Sequence, residues 1–183
     1  ITAGPGFTNA LTAITSAWLD ASPVLFIAGA PPLREVATNP LQGGFDQVAM
    51  AAPVTKWAHR ITHAERIPDL VDKAVRMALS GRPGPVFLEV PIDVMFAPLE
   101  RDRLVFPEPY ALSRPAAATD AIDRLLGMLA QAERPIIIAG GGAISAECAA
   151  RLKTFAERTG IPVAANSKAL GVLPVAHPQN VGM

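Results

Sequence analysis

Residues 64–90, AERIPDLVDKAVRMALSGRPGPVFLEV, contain a helix signal followed by a strand signal. Apolar residues three and four positions apart predict an amphipathic helix; they are Ile67, Leu70, Val71, Ala74, Val75 and Ala78. Glycine and proline in residues 81–85 end this helix, and residues 86–90 are then almost entirely apolar. Such a run is typical of a strand buried on both faces, as in a parallel sheet.

The same alternation continues toward the N-terminus. Residues 7–19 have helical spacing, and residues 23–29 form a second apolar run. The loop that follows, residues 30–44, is rich in Pro, Asn and Gly and lies at a strand end, where loops carry function. Alternating helices and buried strands predict an α/β fold with a parallel sheet flanked by helices.

A second region repeats this pattern after residue 118. Its predicted elements are a helix capped by Thr119 or Asp120, a strand over residues 135–139, a helix from the Gly140–Gly142 turn to Arg158 that Gly160 ends, and a strand over residues 161–165. Two strands are too few for a stable open sheet, so we expect this region to continue beyond Met183.

Residues 98–118 interrupt the pattern with four prolines, Pro98, Pro107, Pro109 and Pro115, among scattered charges. We interpret this segment as a Pro-rich linker between two incomplete α/β domains, residues 1–97 and residues 119–183. The first domain is expected to begin before Ile1, because the chain opens inside a helix-entry motif.

The composition excludes several classes of partner. Sixteen Lys and Arg residues balance sixteen Asp and Glu residues without a basic cluster, so the field that attracts nucleic acid or an anionic membrane is missing. The apolar runs stop well short of the roughly 20 residues of a membrane span. Cys148 is the single cysteine, which excludes an internal disulfide and fits a reducing cytoplasm.

Residues 2–9, TAGPGFTN, form a Gly-Pro-Gly turn at the start of the first predicted helix. The glycines around Pro5 allow a sharp backbone turn and a close approach to a ligand, and the helix start offers unpaired N–H groups. By itself the motif is equally well explained as a tight strand-to-helix turn.

Three segments in order make this motif more specific: GPGFTNALTAITSAWLDASPVLFIAGAPP, LQGGFDQ and SGRPGPVFLEVPIDV. Together they resemble the end of the pyrimidine-binding domain of thiamine-diphosphate-dependent enzymes of the acetolactate synthase and benzaldehyde lyase group. The resemblance implies that Thr2, Pro5, Gly6 and Asn9 lie against the aminopyrimidine ring of the cofactor. It also implies that Gln42 is a catalytic residue, whose amide can donate and accept hydrogen bonds without adding charge.

The residue after Gln42 leaves two activities open. Acetolactate synthases often have an acidic residue at this position, where this chain has Gly43. The segment LQGGFDQVAMAAPVTKWAH is most similar to the benzaldehyde lyase side of the group. The resemblance therefore implies an acetolactate synthase-like carboligase acting on 2-keto acids or aldehydes, with a benzaldehyde lyase-like or 2-hydroxyacyl-CoA lyase-like C–C lyase as the alternative.

Residues 136–144, IIIAGGGAI, place a Gly-rich turn between a strand and a helix, where backbone N–H groups can face a pyrophosphate. The dinucleotide pattern G-x-G-x-x-G would need glycine at Ser145, and no acidic residue ends the next strand at residues 164–166. A nucleotide-binding oxidoreductase with an NAD site is therefore disfavoured.

Three further segments, ERPIIIAGGGAI, RTGIPVAANSKALGVLP and HPQNVGM, resemble the start of the Rossmann-like central domain of the same family. That domain holds FAD in acetolactate synthases and ADP in oxalyl-CoA decarboxylases. If a nucleotide is bound here, the resemblance implies that Gly140, Gly141, Ser167 and Met183 lie beside it.

The resemblance also implies what lies outside this chain. The family's catalytic glutamate is expected before Ile1, and the ligands of Mg²⁺ and the diphosphate beyond Met183, so the chain alone is expected to be inactive. Family active sites form between subunits, which implies a homodimer or homotetramer. A non-catalytic subunit of the same fold remains an alternative of another class.

Overall fold

The computed structural model describes residues 1–108 and 116–183 of the chain. The contacts within the chain divide it into two compact units, Ile1–Leu112 and Ser113–Met183. The middle of the predicted linker, with Pro109 and Pro115, lies outside the described residues. In the described part of the chain, no helix is both long and apolar enough to cross a bilayer.

Within residues 1–108, the first unit has three parallel strands. They are β1 (Leu25–Ala30), β2 (Trp57–Arg60) and β3 (Val86–Pro91), in the order β1-β3-β2. Ile27 of β1 and His59 of β2 both lie opposite Leu88 of β3. Every residue of β3 is buried, because this central strand has a strand on each edge and helices pack on both faces of the sheet. The predicted doubly buried strand is therefore confirmed.

Residues 1–3 run beside β1 on the edge away from β3. The Ile1 nitrogen donates to the Ile27 carbonyl at 2.7 Å, and the Gly29 N–H donates to the Ile1 carbonyl at 3.1 Å. This is the hydrogen-bond pattern of a parallel pair. The chain therefore enters the turn at Gly4 from the carboxyl end of the sheet, next to the end of β1.

Helices cover both faces of this sheet. The described helices are α1 (Pro5–Leu19), α2 (Gln47–Ala51), α3 (Ile67–Leu79) and α4 (Ile92–Met95). On one face Phe7 of α1 packs against Phe87, with ring centroids 5.0 Å apart. On the other face Leu70 of α3 shares a core with Leu88. Successive residues of a strand point to opposite faces, so Phe87 and Leu88 serve two different cores.

In the described residues 116–183, the second unit has the helices α5 (Thr119–Gln131), α6 (Gly141–Ser145) and α7 (Ala149–Thr159) and the parallel strands β4 (Ile137–Ala139) and β5 (Val163–Ala165). Residues 179–182 run along the free edge of β5: the Val163 N–H donates to the Gln179 carbonyl at 2.7 Å, and the Ala165 N–H donates to the Gly182 carbonyl at 2.8 Å. The predicted fold class, a parallel sheet flanked by helices, is confirmed.

Two local predictions in this unit are wrong. The N-cap of α5 is Ala118, and neither Thr119 nor Asp120 caps it with a side chain. The helix predicted to run unbroken to Arg158 is divided into α6 and α7, because Glu147 adopts a left-handed φ of 53°. The predicted end of α7 is confirmed, since Gly160 has a φ of 68° that glycine adopts without a steric penalty.

Candidate active site

The first candidate feature is the turn that opens α1. Gly4 is its N-cap and has a left-handed φ of 65°, and Pro5 is the first helical residue. A Cβ at Gly6 would lie 2.3 Å from Cγ2 of Thr2, so the two residues are in close contact. Thr2, Pro5 and Asn9 are exposed and Gly6 is half-buried. The residues predicted to meet the aminopyrimidine thus lie together around the first turn of α1.

Gln42 lies directly beside this turn. A Cβ placed on Gly4 would be 2.8 Å from the Gln42 carbonyl oxygen and 2.9 Å from its Cα. Gln42 is exposed and has a left-handed φ of 61°, a conformation that costs free energy in any residue with a side chain. The structure therefore brings the predicted glutamine and the predicted turn into contact, although they are far apart in sequence.

A cavity of about 370 Å³ opens at the carboxyl ends of β1 and β3. Its walls come from the loop between β1 and α2, including Gln42, and its polar floor from Gln47, Arg60 and Glu89. Thr2, Pro5, Gly6 and Asn9 are not among its lining residues. Gln42 therefore contacts the turn with its backbone and also borders the cavity.

The floor of the cavity is a buried hydrogen-bond network centred on Glu89 of β3, which is 1% exposed. One carboxylate oxygen accepts from Nε of Arg60, which lies opposite Glu89 on β2. The other accepts from Nε2 of Gln47 at 2.8 Å. Gln47 is 3% exposed; its Nε2 also donates to the Gly29 carbonyl at 3.0 Å, and its Oε1 accepts from the Gly4 N–H at 3.0 Å.

Arg60 links this network to the start of α2. A terminal guanidinium nitrogen lies 3.7 Å from Oδ1 of Asp46, which caps α2 by accepting from the Ala49 N–H at 3.0 Å. The hydrogen bond from Arg60 to Glu89, together with the charges of Glu89 and Asp46, raises the pKa of Arg60 above its ordinary value. Arg60 therefore stays charged and compensates the buried carboxylate.

Sequence reasoning missed Gln47, Arg60 and Glu89 as site residues. One signal was present: Glu89 is the charged residue within an apolar run expected to be buried on both faces, and a buried charge needs partners. Its partners were not predictable in the same way, because Gln47 and Arg60 reach it from other elements only after folding.

In the second unit, the residues predicted to neighbour a nucleotide lie at the carboxyl edge of the sheet. Gly140 follows β4, and a Cβ there would be 3.3 Å from Nδ2 of Asn166, which follows β5. A Cβ on Gly141 would be 3.4 Å from Lys168, next to Ser167. Met183 follows the segment paired with β5 and is exposed. Ligands commonly bind at this edge of parallel sheets.

Two family models and several related proteins match this chain. Residues 1–50 match the family model described as thiamine pyrophosphate enzyme, N-terminal TPP binding domain, and residues 122–183 match thiamine pyrophosphate enzyme, central domain. The chain is 40% identical over 182 residues to glyoxylate carboligase of Escherichia coli O157:H7. It is 37% identical over 180 residues to acetolactate synthase isozyme 1 large subunit of Escherichia coli K12, and 36% identical over 186 residues to the acetolactate synthase large subunit of Corynebacterium glutamicum.

These matches cover 100%, 98% and 100% of this chain, whereas the chain spans 30%, 31% and 29% of the three relatives. The two family models match the chain in the order that the sequence predicted, with the pyrimidine-binding part before the central part. The chain belongs to the thiamine pyrophosphate enzymes.

Proposed function

We propose that the whole protein is a thiamine-diphosphate-dependent carboligase, similar to acetolactate synthase, that acts on 2-keto acids or aldehydes. In this proposal residues 1–97 supply the C-terminal part of the pyrimidine-binding domain, residues 98–118 a linker, and residues 119–183 the start of the central domain. The observation that supports it is the contact between Gln42 and the Gly4 turn at the carboxyl end of the first parallel sheet. The relatives named carboligase and synthase favour this activity over a lyase or a non-catalytic subunit.

The exposed surface around the turn fits a flat heterocycle. The absence of a side chain at Gly6 leaves room for Thr2, and Pro5 and Asn9 offer an apolar ring and an amide on the same face of α1. When bound, thiamine diphosphate supplies the electron sink for making or breaking a carbon–carbon bond beside a carbonyl group. The chain's own contribution is to hold and orient the pyrimidine, with Thr2 packed against Gly6.

Gln42 is the catalytic residue of this proposal. Its amide can donate to a carbonyl oxygen and accept from a hydroxyl, and it carries no charge that would have to be desolvated. Its left-handed φ is a form of backbone strain that clusters at functional sites. The contact of its backbone with Gly4 keeps the side chain beside the turn that holds the pyrimidine.

The full-length protein is expected to bind thiamine diphosphate in the presence of Mg²⁺, whose ligands we expect outside this chain. Isothermal titration calorimetry with both components checks this, with Mg²⁺ alone as the control. An absence of binding heat when both are present would contradict the proposed function.

Gln42→Ala in the full-length protein is expected to slow carboligation by about a hundredfold to a thousandfold, the usual effect of removing one hydrogen-bond donor that stabilises a transition state. Folding should be unchanged, because alanine at this φ has a similar backbone penalty to glutamine. Steady-state turnover and thermal unfolding are the measurements. Gln131→Ala makes the same change at an exposed glutamine of α5 and should have no effect. Unchanged turnover in Gln42→Ala would remove this residue from the site.

For the second unit, we place a nucleotide, FAD or ADP, at the carboxyl edge of the sheet beside Gly140, Gly141, Ser167 and Met183. The close approach of Gly140 to Asn166 supports this location, since a side chain there would meet the strand end. Chromatography of nucleotide released from the denatured full-length protein distinguishes FAD from ADP, and release of neither contradicts the placement.

We further propose that the whole protein is cytoplasmic and forms a homodimer or homotetramer. Light scattering in solution tests the oligomeric state.

A further inference from the structure

A buried chain of hydrogen bonds connects the middle of the first sheet to the Gly4 turn. It runs from Glu89 on β3 to the side chain of Gln47, and from Gln47 to the backbone N–H of Gly4. Glu89 and Gln47 are 1% and 3% exposed, so water does not compete for these bonds. Among the described residues, no buried side-chain nitrogen or oxygen lacks a hydrogen-bond partner.

The partners of the Gln47 amide determine which way it faces. An ionised Glu89 can only accept, and so can the Gly29 carbonyl, so the NH₂ group of Gln47 must point toward both. Its oxygen is then directed at Gly4, whose backbone N–H can only donate. The Glu89 carboxylate, which also accepts from Arg60, the Gly29 carbonyl and the Gly4 N–H thus fix the orientation of Gln47 together.

This orientation matters because Gly4 has no side chain with which to hold its own turn. Its N–H is buried, and Gln47 supplies an acceptor from another element of the unit. Gly4 also contacts the backbone of Gln42 and precedes Pro5 at the start of α1. A shift of Gly4 would therefore move the turn and Gln42 relative to each other.

We infer that Gln47 and Glu89 are positioning residues for cofactor binding: Glu89 orients the Gln47 amide, and Gln47 holds the Gly4 turn where the pyrimidine meets α1. This inference rests on the proposed function. Neither residue is assigned a chemical step; both act through the backbone of Gly4.

Glu89→Gln is the first test, since it preserves the shape of the side chain. An amide at position 89 has one acceptor oxygen instead of two, so its NH₂ group must face either Arg60 or the NH₂ group of Gln47, and one of the hydrogen bonds that support the Gln47 amide is lost. We expect the full-length variant to remain folded and to bind thiamine diphosphate with Mg²⁺ about tenfold or more weakly by calorimetry, the effect of losing one buried hydrogen bond to a charged group.

Gln47→Glu is the second test. It places two carboxylates against each other and removes the donor to the Gly29 carbonyl, and it should weaken cofactor binding at least as much. Combining it with Glu89→Gln restores a donor at position 89 facing an acceptor at position 47, while the glutamate still accepts from Gly4. The double variant is expected to recover part of the lost affinity. A purely structural role predicts no such recovery in the affinity of the folded protein.

Asp72→Asn is the matched control, because Asp72 accepts from Arg76 within α3 and lies outside the site. It should leave cofactor affinity unchanged. If the wild-type protein fails to bind thiamine diphosphate, the proposed function is wrong. If the wild type binds and folded Glu89→Gln binds equally well, the positioning role is wrong. Should Gln47→Glu not fold, the affinity of Glu89→Gln alone decides the matter.

Discussion

Gly4→Ala is expected to lower both the stability of the protein and its affinity for thiamine diphosphate. Gly4 has a φ of 65° and a ψ of −118°, outside the left-handed helical region, so an alanine there should cost at least the penalty of that region, about 1–2 kcal/mol. The added Cβ would also lie 2.8 Å from the carbonyl oxygen of Gln42 and 2.9 Å from its Cα. These are backbone atoms, which cannot rotate away as the end of a side chain can, so the Gln42 loop has to move.

The control for this prediction is Gly81→Ala. Gly81 has a similar φ of +56°, but a Cβ there would meet no atom within 4 Å. It therefore measures the cost of a side chain at a positive φ without a steric contact. Urea unfolding should show a loss for Gly4→Ala that exceeds the loss for Gly81→Ala by about 1–3 kcal/mol, the usual cost of overpacking. Calorimetry should show weakened cofactor binding in Gly4→Ala only. Equal losses of stability and equal affinities in the two variants would show that the contact with Gln42 is unimportant.

Arg60→Met is expected to destabilise the first unit by about 2–4 kcal/mol. The substitution preserves much of the side-chain volume but leaves the carboxylate of Glu89, which is 1% exposed, without its positive partner. The Arg60 side chain is 29% exposed, so solvent lessens the penalty and the lower half of this range is expected. Denaturant unfolding at neutral pH is the measurement.

Arg66→Met is the matched control for Arg60→Met. Arg66 pairs with Asp69 on the surface, with both side chains partly in water, so its removal should change stability very little.

Adding Glu89→Leu to Arg60→Met should restore most of the lost stability, because replacing a buried ion pair with apolar residues often leaves stability unchanged. A loss no larger for Arg60→Met than for Arg66→Met would mean that Glu89 is not a compensated buried charge.

Much of the fold was predictable because its signals are local. The apolar spacing in residues 64–90 predicted α3, and the run that follows it predicted β3 and its burial. The strand β2 was missed, since its four half-buried residues have no apolar pattern of their own. The break between α6 and α7 was missed because an alanine-rich stretch favours a helix, whereas Glu147 adopts a left-handed conformation.

The candidate site was predictable only in part. Resemblance to a family, and not periodicity, indicated Gln42 and the residues around Pro5, and the roles proposed for them remain predictions. Glu89 could have been singled out as a charge within a buried strand. Gln47 could not, because nothing in the sequence around it distinguishes a buried glutamine from an exposed one, and its burial became apparent only in the folded chain.

By itself, the sequence determined the alternation of helices and parallel strands, the turn at Gly4 and the end of α7 at Gly160, because each depends on neighbouring residues and their allowed backbone angles. Only the tertiary structure decided that Gln42 lies against Gly4 and that Glu89, through Gln47, holds the same glycine. Those contacts join segments that are distant in sequence, and their geometry exists only once α1, α2 and the sheet have packed together.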